Sequence, residues 1–463
     1  MTSLLFDEYQ PGLHGRLCSL AMPAPGLTAA SFLRQGRGQE RFFFRDVRTA
    51  ATFAGVGVAA HLMGYGETRF ASIRRQAQAL FRHAVNVGEA EPLAGPRLFG
   101  GFAFRDDFTP DITWTAFHPA HFILPHYQLL ERNGDVWLTI NTLLPLEESP
   151  QDNRPMLQEA LETRYEQLLR ASGNPTENRG EASQDAPQID YPLPFSAWAQ
   201  MIHAAQEAFR RTRLQKVVLS RICQAAFHQP VDVDAALARL TARYPDCFGF
   251  LFEPQPGHAF LGASPELLVQ LRGASLETMG LAGSIQRGRT QAEDAVLAQE
   301  LLASPKNRRE HAVVVDSIRR RLQPLTSRLD IPQEPQVLTL SNIQHLYTPI
   351  RGELARPQGV LPLVEELHPT PALGGTPRAL ALAFIRDHEP TLRGWYAAPV
   401  GWIDGNLDGT FTVAIRSAVV QGKRAWLYAG AGIVAGSVPA LEWEETEWKF
   451  RPMKEALGIG EEA

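Results

Sequence analysis

The chain has 463 residues, 44% of them apolar, and 45 basic against 50 acidic side chains give a net charge of −5. That is enough apolar content for a substantial core, in one large domain or two to three ordinary ones. The charge balance excludes the basic excess of a nucleic-acid or membrane-surface binder. No run reaches the roughly 18 apolar residues that read as a bilayer span, and the opening MTSLLFDEYQ has no apolar core of leader-peptide length. Cys18, Cys223 and Cys247 lack metal-type spacing, so free thiols and a cytoplasmic location are expected.

In chain order, the first half reads as strand-rich. RFFFRD (41–46), RLFGGFAF (97–104) and DVWLTINTLL (135–144) are short aromatic or β-branched runs bounded by turn residues. Residues 66–86 carry helical spacing, with Phe70, Ile73, Ala77 and Leu80 on one face. Residues 153–170 also read as helix. SGNPTENRGEASQDAPQ (172–188) follows, polar and nearly devoid of apolar side chains, and reads as a linker or loop. The expected organisation is therefore a strand-rich half over 1–171, a polar linker over 172–190, and a second half over 191–458.

The second half opens with a helix expected over 195–212 and the strand KVVLSR (216–221). FGFLF (248–252) and HAFLGAS (258–264) read as a hairpin turning at Pro254–Gly257, followed by the strands ELLVQLRG (266–273) and SLETMGLAG (275–283). One long helix is expected over 291–323. GTFTVAIRSAVVQ (409–421) and AWLYAGAG (425–432) read as the last hairpin. Strands next to strands, with helices interspersed, predict an α+β fold rather than a doubly wound parallel sheet.

Several residues could carry chemistry, each beside an ordinary alternative. Lys216 opens an apolar strand; it is either a solvated strand-edge lysine or a buried one usable as a base. Glu266, in GASPE, either faces water or sits in a dry pocket where a raised pKa makes it a proton donor. Glu310, in KNRREH, fits a solvated helix face paired with Lys306. His345, in SNIQHLYT, has no neighbouring His or Cys for zinc and reads as a hydrogen-bonded structural histidine. Arg416, inside the apolar FTVAIRSA, must reach water or an anion. Residues 428–449 place a Gly/Ala-rich turn before Glu442, Glu444, Glu445 and Glu447. Backbone N–H groups in such a turn suit an anion, and clustered carboxylates suit a hard cation such as Mg²⁺. The GAGIVAG run lacks the βαβ context of a dinucleotide site.

Together KVVLSR, FLGASPELLV, LAGSIQRG, KNRREH, SNIQHL, HPTPALGGTPR, YAAPVGW, FTVAIRS, YAGAGIVAGS and EWEETEWK resemble, in order, the motifs of the chorismate-utilising enzymes. That family includes isochorismate, salicylate, anthranilate and aminodeoxychorismate synthases. The resemblance covers about 215–450 and implies one large α+β domain of packed antiparallel sheets with outer helices, like anthranilate synthase component I. It implies that Glu310 and Glu445 hold Mg²⁺ with Glu442 near it, and that Arg416 and Tyr396 bind the enolpyruvyl carboxylate of chorismate. Gly283, Ser284, Gly430 and Gly432 would line the pocket, with His345 and Lys449 close by. Glu266 would be the general acid and Lys216 the general base that activates water.

Within the family, ammonia users usually carry Gln at the Lys216 position, and aminodeoxychorismate synthases often carry a nucleophilic Lys at the Ala282 position. Ala372 in HPTPALGG resembles the isochorismate synthases, whereas the lyase branch tends to have Thr. Asn307 departs from a common Asp. The long N-terminal half resembles the menaquinone-pathway type more than the shorter siderophore type. The resemblance thus implies an isochorismate synthase, a monomer or homodimer without an obligate glutaminase partner. A salicylate synthase, or the synthase half of a glutaminase-dependent ammonia user, is the alternative.

Overall fold

The computed structural model describes residues 15–88, 91–172, 186–341 and 343–460. The chain's opening residues, most of the expected linker and Asn342 of the SNIQHL motif lie outside them. The described strands form two large sheets. The first runs, strand by strand, Gln188–Asp190, Lys216–Ala226, Arg424–Ile433, Ser417–Gln421, His258–Ser264, Phe248–Gln255, Arg41–Asp46, Ala51–Val56, Tyr127–Arg132, Asp135–Leu144, Arg16–Pro23 and Val85–Asn86. The second runs Thr326–Asp330, Ile343–Leu354, Ser275–Gln286, Leu267–Arg272, Gly409–Val413, Pro399–Asp404, Arg97–Phe102, Ala120–Leu124 and Ala60–Gly64. Pairing is antiparallel except between Arg16–Pro23 and Val85–Asn86. Both halves of the chain contribute to both sheets, and the protein is one large mixed domain.

Strand periodicity explains the layers. Phe42 and Phe44 belong to one core cluster and Phe43 to the other, because successive side chains leave a strand on opposite faces. The first cluster joins the two sheets. The second packs helices onto the far face of the first sheet, through Phe32, Leu161, Leu237 and Phe450 among others. The helix Arg69–Arg82 buries Phe70, Ile73, Ala77 and Leu80, the face its spacing predicts.

Two sequence expectations need correction. The long helix expected over 291–323 is two helices, Gln291–Ala303 and Pro305–Leu322. Ser304 ends the first and caps the second, its side chain accepting from the Asn307 amide at 3.3 Å. Pro305 at the first helical position cannot donate the backbone bond that would continue the earlier helix. The stretch 409–421 is likewise two strands, Gly409–Val413 in the second sheet and Ser417–Gln421 in the first. Only the latter forms the last hairpin, with Arg424–Ile433. Arg416 therefore lies in the crossing between sheets, at φ +50°, and not within a strand.

A second crossing lies beside it. The chain leaves the first sheet after Ser264 and enters the second at Leu267, which places Glu266 between them. The two crossings are stitched together. Val413 donates its amide to the Glu266 carbonyl at 3.1 Å, and Ala263 donates to the Arg416 carbonyl at 3.1 Å. The cavity described next opens at this joint.

Candidate active site

A cavity of about 780 Å³, its mouth included, is lined by Lys216, Glu266, Gly283, Ser284, Glu310, His345, Ala372, Tyr396, Arg416, Gly430, Gly432, Glu445 and Lys449. These are the residues expected from sequence to bind or react with substrate. Glu442 is the exception. It is buried one turn before Glu445, outside the cavity lining. Burial raises its carboxyl pKa, the Ser437 hydroxyl opposes that rise, and Glu445 adds to it. Positions 442 and 445 share a helix face at i,i+3, yet only Glu445 lines the cavity.

Each functional side chain has a structural reason for its place. Lys216 begins the strand Lys216–Ala226, which pairs with Arg424–Ile433 so that Val218 faces Gly432 and Ser220 faces Gly430. A Cβ at Gly432 would lie 3.0 Å from Lys216 Cε and 3.2 Å from Glu310 Oε1, so glycine makes room for that pair. Lys216 Nζ donates to Glu310 Oε1 at 2.7 Å. Glu310 stands in the second turn of Pro305–Leu322, whose His311 is fixed by a 2.7 Å bond to the Thr348 hydroxyl. Burial alone would raise the Glu310 carboxyl pKa. The Lys216, Lys449 and Lys306 cations outweigh burial and hold it below its ordinary value.

The helix Pro439–Ala456 supplies Glu445 and Lys449. Lys449 Nζ sits 2.6 Å from Glu445 Oε1 and donates to the Gly430 carbonyl at 2.8 Å. Arg221 docks this helix on the sheet. Its guanidinium lies 3.5 Å over the Trp443 ring, donates to Thr446 Oγ1 at 2.7 Å, and pairs with Glu447.

Glu266 has an environment unlike the other carboxylates. It is 5% exposed, and its carbonyl accepts from the Val413 amide and the Thr412 hydroxyl. Burial pushes its carboxyl up to about 7, against the Lys216 and Lys449 cations and the Thr370 hydroxyl, which favour the anion. A carboxyl in that range can carry a proton at neutral pH and give it up.

Anion recognition is built opposite. Arg416 is buried, and its Nη1 has no hydrogen-bond partner among the described residues. Such an atom calls for an anionic ligand. Arg416 Nη2 donates to His345 Nε2 at 3.3 Å, which leaves the proton on Nδ1, 2.9 Å from Ser284 Oγ. Burial, with the Arg416 and Lys449 cations, pushes the imidazole down to about 3, so His345 is neutral. Gly283, at φ +78°, forms a bulge where the register slips between Ala282 and Ser284 and turns Ser284 toward His345. Tyr396 stacks on Tyr428 with ring centroids 5.1 Å apart, and Trp114 Nε1 donates to the Tyr428 hydroxyl at 2.9 Å.

Among the described residues no three His, Cys, Asp or Glu side chains converge as a closed metal cage. Glu310 and Glu445 instead present oxygen donors to one cavity, each already beside a lysine cation. That fits an open site for a hard cation, because Mg²⁺ keeps several waters and uses one or two carboxylates plus its substrate. The wall residues Val218, Leu281, Leu373, Ile415 and Tyr428 were not foreseen. They are apolar or aromatic, and only the strand register and the sheet crossings turn them inward.

A family model described as chorismate binding enzyme matches residues 7–458. The "Salicylate biosynthesis isochorismate synthase" of Pseudomonas aeruginosa is 41% identical over 405 residues, 87% of this chain and 82% of that one. "Isochorismate synthase MenF" of Bacillus subtilis is 33% identical over 454 residues, 96% of this chain and 94% of that one. The solved structure of MenF, the menaquinone-specific isochorismate synthase from Escherichia coli, matches with a TM-score of 0.79 at 27% identity, over 97% of each chain.

Proposed function

This chain belongs to the chorismate binding enzyme family, and we propose that it acts as an isochorismate synthase, converting chorismate to isochorismate by adding water to the ring and expelling the ring hydroxyl. The observation that carries this reading is the placing of a lysine and a buried carboxyl, its pKa raised to about 7 by burial, in one cavity with an unsatisfied arginine.

Arg416 Nη1, with the Tyr396 hydroxyl, receives the enolpyruvyl carboxylate. His345 and Ser284 hold the arginine's other edge and keep the ring from turning. Glu310 and Glu445 would hold Mg²⁺, which when bound offsets the charge of the ring carboxylate. Glu266 gives its proton to the departing hydroxyl, since hydroxide itself is a poor leaving group. Lys216 takes a proton from the entering water as the neutral amine, so the ammonium paired with Glu310 must first give up a proton to solvent and turn its lone pair to that water. Assistance of this kind is worth ~10²–10⁴-fold for each group.

Water rather than ammonia is the nucleophile, because Lys216 stands where ammonia users carry Gln. No glutaminase partner is then required. Ala282 in the cavity wall presents no second lysine to attack the ring. The test is incubation of the purified protein with chorismate and Mg²⁺, with and without an ammonium salt, followed by product identification. Isochorismate, unaffected by ammonium, is the expected product. An aminated product, or salicylate with stoichiometric pyruvate, would overturn the reading.

A further inference from the structure

Behind the cavity lies a buried ion pair with no part in the chemistry above. Glu389 and Arg393 follow the helix Arg378–His388, and both side chains are only 3% exposed. Arg393 Nε donates to Glu389 Oε2 at 2.8 Å, and Nη2 pairs with Oε1. The remaining donors leave the pair. Nη1 reaches the Leu373 carbonyl at 3.0 Å and Nη2 the Val218 carbonyl at 2.7 Å. Glu389 Oε1 also accepts from the Ser220 amide at 2.8 Å. The Arg393 carbonyl accepts from the Tyr396 amide at 2.9 Å, and the Phe104 ring lies 4.2 Å from the guanidinium.

Val218, Leu373 and Tyr396 all line the cavity. Val218 belongs to the strand that begins at Lys216, and Leu373 follows Ala372 in the adjoining segment, whose Gly374 carbonyl accepts from the Val218 amide at 3.0 Å and whose Gly375–Thr376 pairs with Lys216–Val217. One guanidinium therefore adds a side-chain tie between two cavity-lining segments that backbone bonds also join, and its carboxylate partner holds the Ser220 amide, two residues further along the base-bearing strand. A planar fork with several fixed donors sets such a spacing, which a single point charge cannot reproduce.

We propose that Glu389 and Arg393 act as positioning residues, fixing the distance between the Lys216 strand and the Ala372–Leu373 wall and so the place where water meets the ring. The proposal rests on the synthase reading for what is positioned. Of the substrate anchors only Tyr396 touches the pair, through the Arg393 carbonyl, a backbone bond that side-chain substitution leaves in place. Arg416, Glu310 and Glu445 are carried by other segments: the sheet crossing, the helix Pro305–Leu322 and the helix Pro439–Ala456. Loosening the pair should thus slow the reaction while leaving chorismate affinity nearly intact. Misplacement by about 1 Å far from the chemistry can lower a rate ~10²-fold.

The test uses the full chain with Arg393→Lys and Glu389→Asp. Both variants keep the pair's charges but break the fork geometry. Kinetics are measured well below each melting point, with rates scaled to the folded fraction. The expected result is kcat lowered roughly 10–100-fold per folded molecule with KM within about threefold of native. A per-molecule kcat within about twofold of native in either folded variant would assign the pair to the framework and overturn the proposal, as would a KM that rises as far as kcat falls. If only Glu389→Asp folds, it decides alone by the same readings. If neither folds, the pair is framework and the proposal fails. Product identification on the native protein judges the synthase reading separately, since the split between kcat and KM can be read whichever product forms.

Discussion

Lys216 Nζ lies 2.7 Å from Glu310 Oε1, so the group assigned as base rests on a group assigned to hold the metal. Lys449 and Glu445 repeat the arrangement across the cavity at 2.6 Å. Each pair balances its own charge, which leaves Arg416 as a buried cation in the cavity lining, its Nη1 without a hydrogen-bond partner among the described residues. A dianionic substrate and a divalent ion can therefore enter together at little net change of charge.

Divalent-metal dependence is the first consequence. A chelator should abolish turnover and Mg²⁺ should restore it. Glu445→Gln should weaken metal binding, read by titration calorimetry, while the melting temperature stays nearly constant. Partly exposed i,i+4 pairs such as Glu445–Lys449 contribute at most ~1 kcal/mol. Full turnover in a metal-free preparation would contradict the assignment.

Glu266 gives a signed pH prediction. Its folded pKa, about 7, lies above its ordinary 4.5. Below 4.5 the carboxyl is protonated in both folded and unfolded chains, and its contribution is fully favourable. Between 4.5 and 7 the unfolded chain releases the proton and the folded one keeps it, so stability falls as pH rises. The loss is on the order of 3 kcal/mol, then levels off. Glu266→Gln should flatten that segment of the stability–pH curve. It should also lower kcat by ~10²–10⁴-fold. In the native protein, kcat/KM should decline as pH passes about 7. An unchanged stability profile in Glu266→Gln would show that the carboxyl is not held protonated.

Arg416→Lys loses the planar fork. Chorismate affinity should fall by ~1.5–3 kcal/mol, the usual worth of a charged hydrogen bond, and appear as a raised KM. Unchanged kinetics would make Arg416 a structural arginine, held by His345 and the Cys247 thiol.

Gly432→Ala probes the Lys216–Glu310 contact without touching either residue. The added methyl would sit 3.0 Å from Lys216 Cε and 3.2 Å from Glu310 Oε1, tighter than ordinary contact. The pair must shift, so kcat should fall by at least about tenfold with the fold retained by circular dichroism. Native activity in this variant would show that the pair moves freely.

Much of this arrangement was legible in the sequence, and the exceptions have specific causes. Continuous apolar runs such as RFFFRD announce strands because each face of the first sheet is covered. The crossing at Ala414–Arg416 was hidden because the strands on both sides are buried, and their apolar pattern runs on through the break. Arg416 itself was the clue, a charge where a continuous strand would tolerate none. The joint at Ser304–Pro305 was marked by a capping residue and a proline, but helical spacing on either side outweighed them. Thirteen of the fourteen residues expected around substrate or metal line the cavity; Glu442 does not, because helix spacing alone does not say which of two acids turns inward. The Glu389–Arg393 pair went unnoticed, since its partners are backbone carbonyls from distant segments.

The most direct test of the central claim is turnover of chorismate in ¹⁸O-labelled water, followed by mass spectrometry of the product. Lys216 and Glu266 acting as base and acid should place one labelled oxygen on the ring without release of pyruvate, and Lys216→Gln should abolish that incorporation in a folded protein. The same enzyme should return chorismate from isochorismate, because one hydroxyl is exchanged for another. Ring product without label, or a steady stoichiometric release of pyruvate, would contradict the account.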